Sequence, residues 1–456
     1  MIAWIAVALE TRIAVAGAPA ERRHARSDPF SDRSLAKTVA RIVPLVERAA
    51  GRPFLTPPVV ALATPEVLAK MLREEQSLIE GSVLRDTPAE IRAAGDAGLD
   101  PGIDTSGLLG KYGVFEKTLY LCSASITDAT IGSGLPPDAV ADVASIVLAH
   151  ELTHALHDQY SDLAGIVRGL PDQDALWSAA STWEGLATWV SQRVAVDLDA
   201  TDTWTFLAAL QGWSPTGLEE KTAYPVWAMY GRGRDAIAWH FDHGGFDEVW
   251  AVASHPPAAS RGVFRPASWA DPRPVPPIDY PAVLRGTEQV LTEGPWIVGI
   301  SVLGEFQLRG EAVVGDNEAT IDEILGHLTD AWALAGTRDD RRGEVRILVF
   351  DGPSWPQRYL DALRVQVTAD AALLASRVAG AGGTVTERHA AWVGDAAITR
   401  SSRVAGAGGT VTERHAAWVV RGSTVVVVTA EAFRPGLRLG WTVDEVFRRL
   451  DAARTP

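Results

Sequence analysis

The chain has 456 residues, 47% of them hydrophobic and 22% charged, enough for two or three globular domains with cores of their own. Its formal net charge of -15 argues against nucleic acid as a main partner, because phosphate binding needs a positive footprint. The single cysteine, Cys122, excludes a disulfide framework and a cysteine-rich zinc module, while 16 tryptophans supply anchors for more than one core.

Ile2 to Leu9 is a short apolar run, and Ala18-Pro19-Ala20 has the form of a leader's cleavage exit. Glu10 and Arg12 interrupt the apolar stretch, and no basic segment precedes it. This degraded leader, within a flexible segment 1–33, favours export over a cytoplasmic location. No run of roughly 20 apolar residues reads as an integral membrane segment.

Periodicity predicts a helix over Leu35 to Arg52, bent at Pro44, and another over Pro65 to Leu78 with Thr64 as its N-cap. Val59 to Leu62 and Phe115 to Ser123 read as strands, and 95–113 reads as loop. Pro136 to Tyr160 and Leu176 to Leu198 are the two strongest helices. Pro272 to Pro281 reads as an extended connector. Beyond it, helices are expected over 319–335, Trp355 to Leu374 and Val443 to Ala452, with strands over Glu344 to Phe350, Thr384 to Val393 and Thr424 to Thr429. The expected fold class is α+β. A mainly helical domain with a small sheet covers 34–310, and a smaller C-terminal α/β domain covers 318–456.

SRVAGAGGTVTERHAAWV occurs at 376–393 and again, unchanged, at 402–419. Two copies do not make a solenoid, so the pattern reads as a recent tandem duplication or as an assembly error in the coding sequence. Both copies cannot occupy one sheet position. The second is the expected core strand, because Val420-Arg421-Gly422 turns it directly into STVVVVTA, and the first should bulge out or sit at an edge. His389 and His415 are copies of one residue and read as surface positions rather than ligands.

Residues 148–160 read LAHELTHALHDQY, so His150-Glu151-x-x-His154 is an HExxH motif on the helix expected there. Residues i and i+4 share a helix face, which lets two imidazoles bind one cation. Glu151 can then reach the attacking water without itself binding the ion. The alternative is a surface helix with two solvated histidines. A catalytic zinc takes three protein ligands and keeps one position open. No third histidine stands at the short metzincin spacing, since position 157 is His rather than Gly and position 160 is Tyr. Glu184, in Trp183-Glu184-Gly185-Leu186-Ala187 of the next helix, is the candidate. Its neighbours Ala180 and Ala187 are small enough for that helix to approach the HExxH helix, and a carboxylate among Trp and Ala is costly unless paired or metal-bound. A salt-bridged or exposed glutamate is the other reading. Two nitrogens and one carboxylate, without thiolate, favour one Zn2+. Cys122 reads as a small buried hydrophobe, with an extra ligand as the remote alternative.

HExxH followed by a glutamate on a later helix resembles the gluzincins, the thermolysin-like branch of zinc peptidases. HELTHALHDQY followed by WEGLATW is more closely similar to a group of bacterial proteins that carry HELTHALQDQ and then EGEA. FEKTLYLCS and the Pro256-Pro257, Ser260, Pro266 stretch also fit, so the resemblance spans about residues 35–310. It implies a zincin fold in which an upstream edge strand pairs with an extended peptide or protein substrate. It also implies peptide-bond hydrolysis with Glu151 as general base. The chain departs from the pattern at His157 (usually Gln), Leu186 (usually Glu) and Thr188, where thermolysin-like enzymes place an aspartate that orients the first histidine. Asp158, one turn past His154, is either a substitute for that aspartate or a solvated helix-end residue. His157 either lines the cleft or packs. Tyr224, Tyr230, His240 and His243 are candidate oxyanion donors, none singled out by sequence. Two other functions stand beside the peptidase. One is a non-catalytic metal-binding or protein-binding module that keeps the fold. The other is a metal-dependent hydrolase of a non-peptide bond. Retention of Glu151, which has no structural duty at a metal, weighs against the first, and the upstream strand weighs against the second.

Overall fold

The structure is a computed structural model that describes residues 29–82, 108–210, 219–273, 275–285, 287, 297–313, 317–338, 341–363, 384–392, 397–405, 411–431 and 439–454. The leader reading of residues 1–28 lies outside them. Helix α1 (Asp32–Ala50) starts on Ser31, whose hydroxyl accepts from the Ser34 N–H, and contains Pro44. Strand β1 (Val59–Leu62) and helix α2 (Pro65–Ser82) follow as expected. The next stretch differs from expectation. Part of the expected loop is a strand, β2 (Gly110–Gly113), and the strand expected over 115–123 shortens to β3 (Thr118–Leu121). Residues 114–117 form the turn between them, with Lys117 in the left-handed region at φ 51. In this three-stranded sheet β3 is central, parallel to β1 and antiparallel to β2. The edge strands are therefore β1 and β2, and the FEKTLYLCS strand is central.

Helix α3 (Ser123–Gly132) and a 3-10 turn at Pro137–Ala139 lead into α4 (Val140–Ser161). Its apolar residues Val143, Val147, Leu148, Leu152 and Leu156 join one core cluster with Ile42 and Val46 of α1 and Leu119 and Leu121 of β3. A helix apolar on nearly every side has to be buried on nearly every side. Contrary to the expectation from sequence, the stretch Pro137–Ser161 is long and apolar enough to cross a membrane, but 67% of its apolar part is buried inside the protein.

After the short α5 (Leu163–Gly169) comes α6 (Gln173–Asp197), capped by Asp172, whose side chain accepts from the Ala175 N–H. Then α7 (Thr201–Leu210) precedes α8 (Glu219–Ser254), which is interrupted by non-helical geometry at Gly245. The backbones of α6 and α8 touch. A Cβ built on Gly185 would lie 2.2 Å from the Gly233 carbonyl carbon, and one on Gly233 would lie 2.0 Å from the Ser181 oxygen. Ala180 packs in the cluster that holds Tyr224 and Ala228 of α8, so the small face foreseen for the HExxH helix serves α8 there.

The short helix α9 (Arg261–Phe264) precedes the connector at 272–281, whose last two residues already belong to the short helix α10 (Tyr280–Arg285). A second sheet then follows in the order β4-β5-β6-β10-β9-β8-β7. Its strands are β4 (Ile297–Val302), β5 (Leu328–Arg338), β6 (Arg341–Phe350), β7 (Thr384–Trp392), β8 (Ala397–Ala405), β9 (Val411–Arg421) and β10 (Thr424–Glu431). Every neighbouring pair is antiparallel, so this part is α+β rather than α/β. The sheet also begins before residue 318, because β4 pairs with β5. Helices α11 (Glu305–Ala312), α12 (Glu318–Gly326), α13 (355–363) and α14 (Leu439–Arg454) complete the chain. The helix expected over 319–335 ends at Gly326, and the remainder is β5. Its residues alternate, with Ala331 and Ala333 in one cluster and Leu334 with Trp332 in another, which is strand periodicity with both faces covered. The run Val425 to Val428 splits the same way, between α8, α11 and α12 on one face and α10 and α14 on the other.

The duplicated segment is arranged as the sequence implied. The first four residues of the second copy, 402–405, end β8, and 411–419 form β9, joined to β10 through the two-residue turn Gly422-Ser423, with Gly422 at φ 57. The first copy forms β7, at the far end of the sheet beyond β8.

Candidate metal centre

Helix α4 presents His150 and His154 one turn apart, their rings edge to face with centroids at 4.9 Å. Nε2 of His150 lies 3.0 Å from Oε2 of Glu184 on α6, Nε2 of His154 lies 3.4 Å from the same oxygen, and the two Nε2 atoms are 3.2 Å apart. Ligands of one tetrahedral zinc, each roughly 2.0–2.2 Å from the ion, stand about 3.4 Å apart. The three atoms therefore fit one divalent ion, and this group could bind a metal. The donor set, two imidazole nitrogens and a carboxylate oxygen, is also chemically suited to one. Cys122 is not part of it: the thiol is buried beside Leu68 and Leu72, and its sulfur accepts from the Ser125 hydroxyl.

Within the cluster the carboxylate and the imidazoles favour one another's charged forms. Burial opposes ionisation of Glu184, but the imidazoles of His154 and His150 outweigh it and hold the carboxyl well below the usual range. Burial likewise opposes a charge on His154, and the Glu184 carboxylate overcomes it and raises the imidazole.

Glu151 is buried next to the cluster. Its Oε2 accepts the Tyr112 backbone N–H of β2 at 2.7 Å. Gly110, two residues earlier, runs so close to α4 that a Cβ there would lie 2.9 Å from Val147 and 3.2 Å from the Glu151 Cγ. Lys111 points elsewhere, to a buried ion pair with Glu75 of α2 at 2.9 Å. Burial works against the Lys111 charge, but the carboxylates of Glu75, Glu151 and Glu184 raise its pKa. Tyr112 and Lys111 carried no signal in the sequence, because GKYG is a four-residue strand bounded by glycines and the contact to Glu151 uses a main-chain atom.

The remaining candidates separate clearly. Tyr230 on α8 is at the site, buried, with its ring 5.9 Å from that of His150, and burial together with the Glu184 and Glu151 carboxylates raises the pKa of its hydroxyl. The Tyr224 hydroxyl donates instead to Glu318. His240 is buried edge-on to Trp239 and Trp269, and His243 stacks on Trp239. His157 does not line the cleft: it lies between Trp183 and Trp250 with Nε2 on the Ala253 carbonyl. Burial and the nearby His154 push its pKa down to about 3. Asp158 does not orient a histidine and is not solvated. Its Oδ2 accepts from the Tyr112 hydroxyl and from Lys117, and its Oδ1 from the Leu163 N–H. The buried Thr188 hydroxyl has no hydrogen-bond partner, so it does not replace the orienting aspartate either.

No family model and no curated protein matches the chain. Among solved structures it is similar to the extracellular domain of PknH from Mycobacterium tuberculosis, at 13% identity and a TM-score of 0.25, over 38% of this chain and 94% of that one. It is also similar to a protein described as "a putative hydrolase with a novel fold from Chloroflexus aurantiacus", at 17% identity and a TM-score of 0.37, over 53% of this chain and 91% of that one. Likenesses at these scores bear neither on the fold nor on the chemistry of this chain.

Proposed function

We propose that the chain is a zinc-dependent metallopeptidase that hydrolyses peptide bonds with Glu151 as general base. One observation carries the reading: Nε2 of His150, Nε2 of His154 and Oε2 of Glu184 converge, with Glu151 in the turn between the two histidines. A divalent ion held there supplies Lewis acidity, polarising the scissile carbonyl and acidifying the attacking water. Glu151 takes the water's proton and delivers it to the leaving amine. Since its Oε2 is held by the Tyr112 N–H, the other oxygen is the one that carries the proton. The Tyr230 ring stands beside that of His150, and its hydroxyl, kept protonated by burial and the nearby carboxylates, donates to the developing oxyanion.

Substrate binding falls to the edge of β2. The Cys122 N–H donates to the Leu109 carbonyl, so residues 109 and 111 make the ladder bonds to β3, and residues 110 and 112 turn their main-chain groups outward; the Tyr112 N–H is taken by Glu151, which leaves the Gly110 N–H and the carbonyls of 110 and 112 for substrate. An extended peptide can add to that edge.

Glu151→Gln is expected to keep zinc and to lose about 100-fold or more of the cleavage of a denatured protein mixture, whereas Glu184→Ala loses the metal. Cleavage at the parent rate by Glu151→Gln contradicts the reading. The unpartnered Thr188 favours the second reading, a non-catalytic metal-binding module; that reading expects zinc in the parent protein and no cleavage.

A further inference from the structure

Tyr112 touches α4 twice, at Glu151 through its backbone N–H, 2.7 Å from Oε2, and at Asp158 through its phenol, 2.6 Å from Oδ2. Glu151 and Asp158 lie two turns apart on one face of α4, since seven residues span nearly two full turns. The strand thus runs along the helix and is fixed at both ends of one residue. The far end is firmly built. The Asp158 side chain is 1% exposed, and its carboxylate also takes Lys117 Nζ at 2.6 Å and the Leu163 N–H at 3.0 Å. It gathers β2, the β2–β3 turn and the first residue of α5 onto the end of α4. Burial and the hydrogen bond to Asp158 keep the Tyr112 phenol protonated, and so a donor.

A single contact between strand and helix leaves the peptide plane free to tilt about it. Two contacts at opposite ends fix both the register and the direction in which the Tyr112 N–H points. We propose that Tyr112 is a positioning residue for Glu151. Its phenol, anchored on Asp158, aims the N–H that holds one carboxylate oxygen and so leaves the other free for proton transfer. The geometry is independent of the metallopeptidase reading; only its catalytic consequence rests on it.

The test pairs amide exchange with kinetics on the full chain carrying zinc. Tyr112→Phe keeps the ring and the N–H and removes only the anchor. It is expected to speed exchange of the Tyr112 amide about tenfold or more, the loss of one charge-assisted hydrogen bond's restraint. Asp158→Ala should do the same, and the double variant no more than either. Zinc content stays at the parent level in all three. In hydrolysis, Tyr112→Phe should lower kcat about tenfold with KM changed less than about twofold, as a misaimed base does. Exchange at the parent rate in Tyr112→Phe overturns the inference whatever the activity. Faster exchange with an unchanged kcat also overturns it, since the contact is then structural only. If the parent protein cleaves nothing, the metallopeptidase reading falls, and the exchange rates alone still decide whether the phenol aims the N–H.

Discussion

His154 and His157 stand three positions apart on α4, and their surroundings drive their charges in opposite directions. Glu184 draws positive charge onto His154, while burial between two indoles keeps His157 neutral. The consequence for stability has a definite sign. The folded pKa of His157, about 3, lies below its unfolded value near 6.5, so its contribution is complete above about pH 6.5 and is lost as pH falls toward 3. Metal-stripped protein should therefore lose about 1 kcal/mol through this residue between pH 7 and pH 5.5. Denaturant unfolding at the two pH values checks it: His157→Gln should flatten that loss, and an equal loss in parent and variant would remove His157 as its source. Tyr230 is the other residue with a sharp expectation. Tyr230→Phe removes one O–H donor and nothing that binds the ion, so kcat should fall about 10- to 100-fold with zinc content unchanged. Cleavage at the parent rate would leave Tyr230 as packing.

Among the elements, the crossing of α6 and α8 decides where the ligands sit. Gly185 follows Glu184 directly, and Gly233 lies one turn beyond Tyr230, so main-chain contact at the crossing brings carboxylate and phenol together. In an open helix Gly→Ala gains roughly 1 kcal/mol of propensity. At Gly233 the new Cβ would lie 2.0 Å from a backbone oxygen, and the helices have to part. Overpacking costs about 1–3 kcal/mol, enough to cancel or reverse the gain. Gly233→Ala should thus lower the denaturation midpoint and weaken zinc binding, and a stabilised variant with parent zinc affinity would contradict the crossing. This contact was not legible in the sequence, where Ala180 and Ala187 are the small residues that stand out beside Glu184. The helices themselves were legible, because α4 and α6 are long and HExxH carries its own spacing. Two strands were not. GKYG is too short to show a period, and in β5 the sequence DAWALAG mixes small and apolar residues on two buried faces, so it runs on from the preceding helix without an audible change of pattern. The β9–β10 hairpin was legible because Gly422 supplies the left-handed turn residue.

On the scale of the whole molecule, the ligands come from α4 and α6, and the groups around them from β2 and α8. The larger sheet acts at one remove. Tyr224, Ala228 and Met229 of α8 pack in one cluster with Val425 and Val427 of β10, so the sheet supports the helix that carries Tyr230. Polar contacts join the same parts. Arg273 pairs with Asp172 and with Asp174 at the start of α6, and the Ser260 hydroxyl also donates to Asp174. Burial pushes Asp174 up to about 6 in spite of Arg273. Fully buried Arg309 of α11 pairs with Glu305 and Asp322 and lies over the Phe264 ring. These contacts tie the helices around the site to the larger sheet, so the metal is best read in the full chain. The most direct measurement is zinc per protein by elemental analysis after dialysis against free Zn2+, for the parent, His154→Ala and Glu184→Ala. The account predicts one zinc per parent chain and loss of most of it in each variant. A parent chain without stoichiometric zinc, or a Glu184→Ala chain that retains it, would contradict the account.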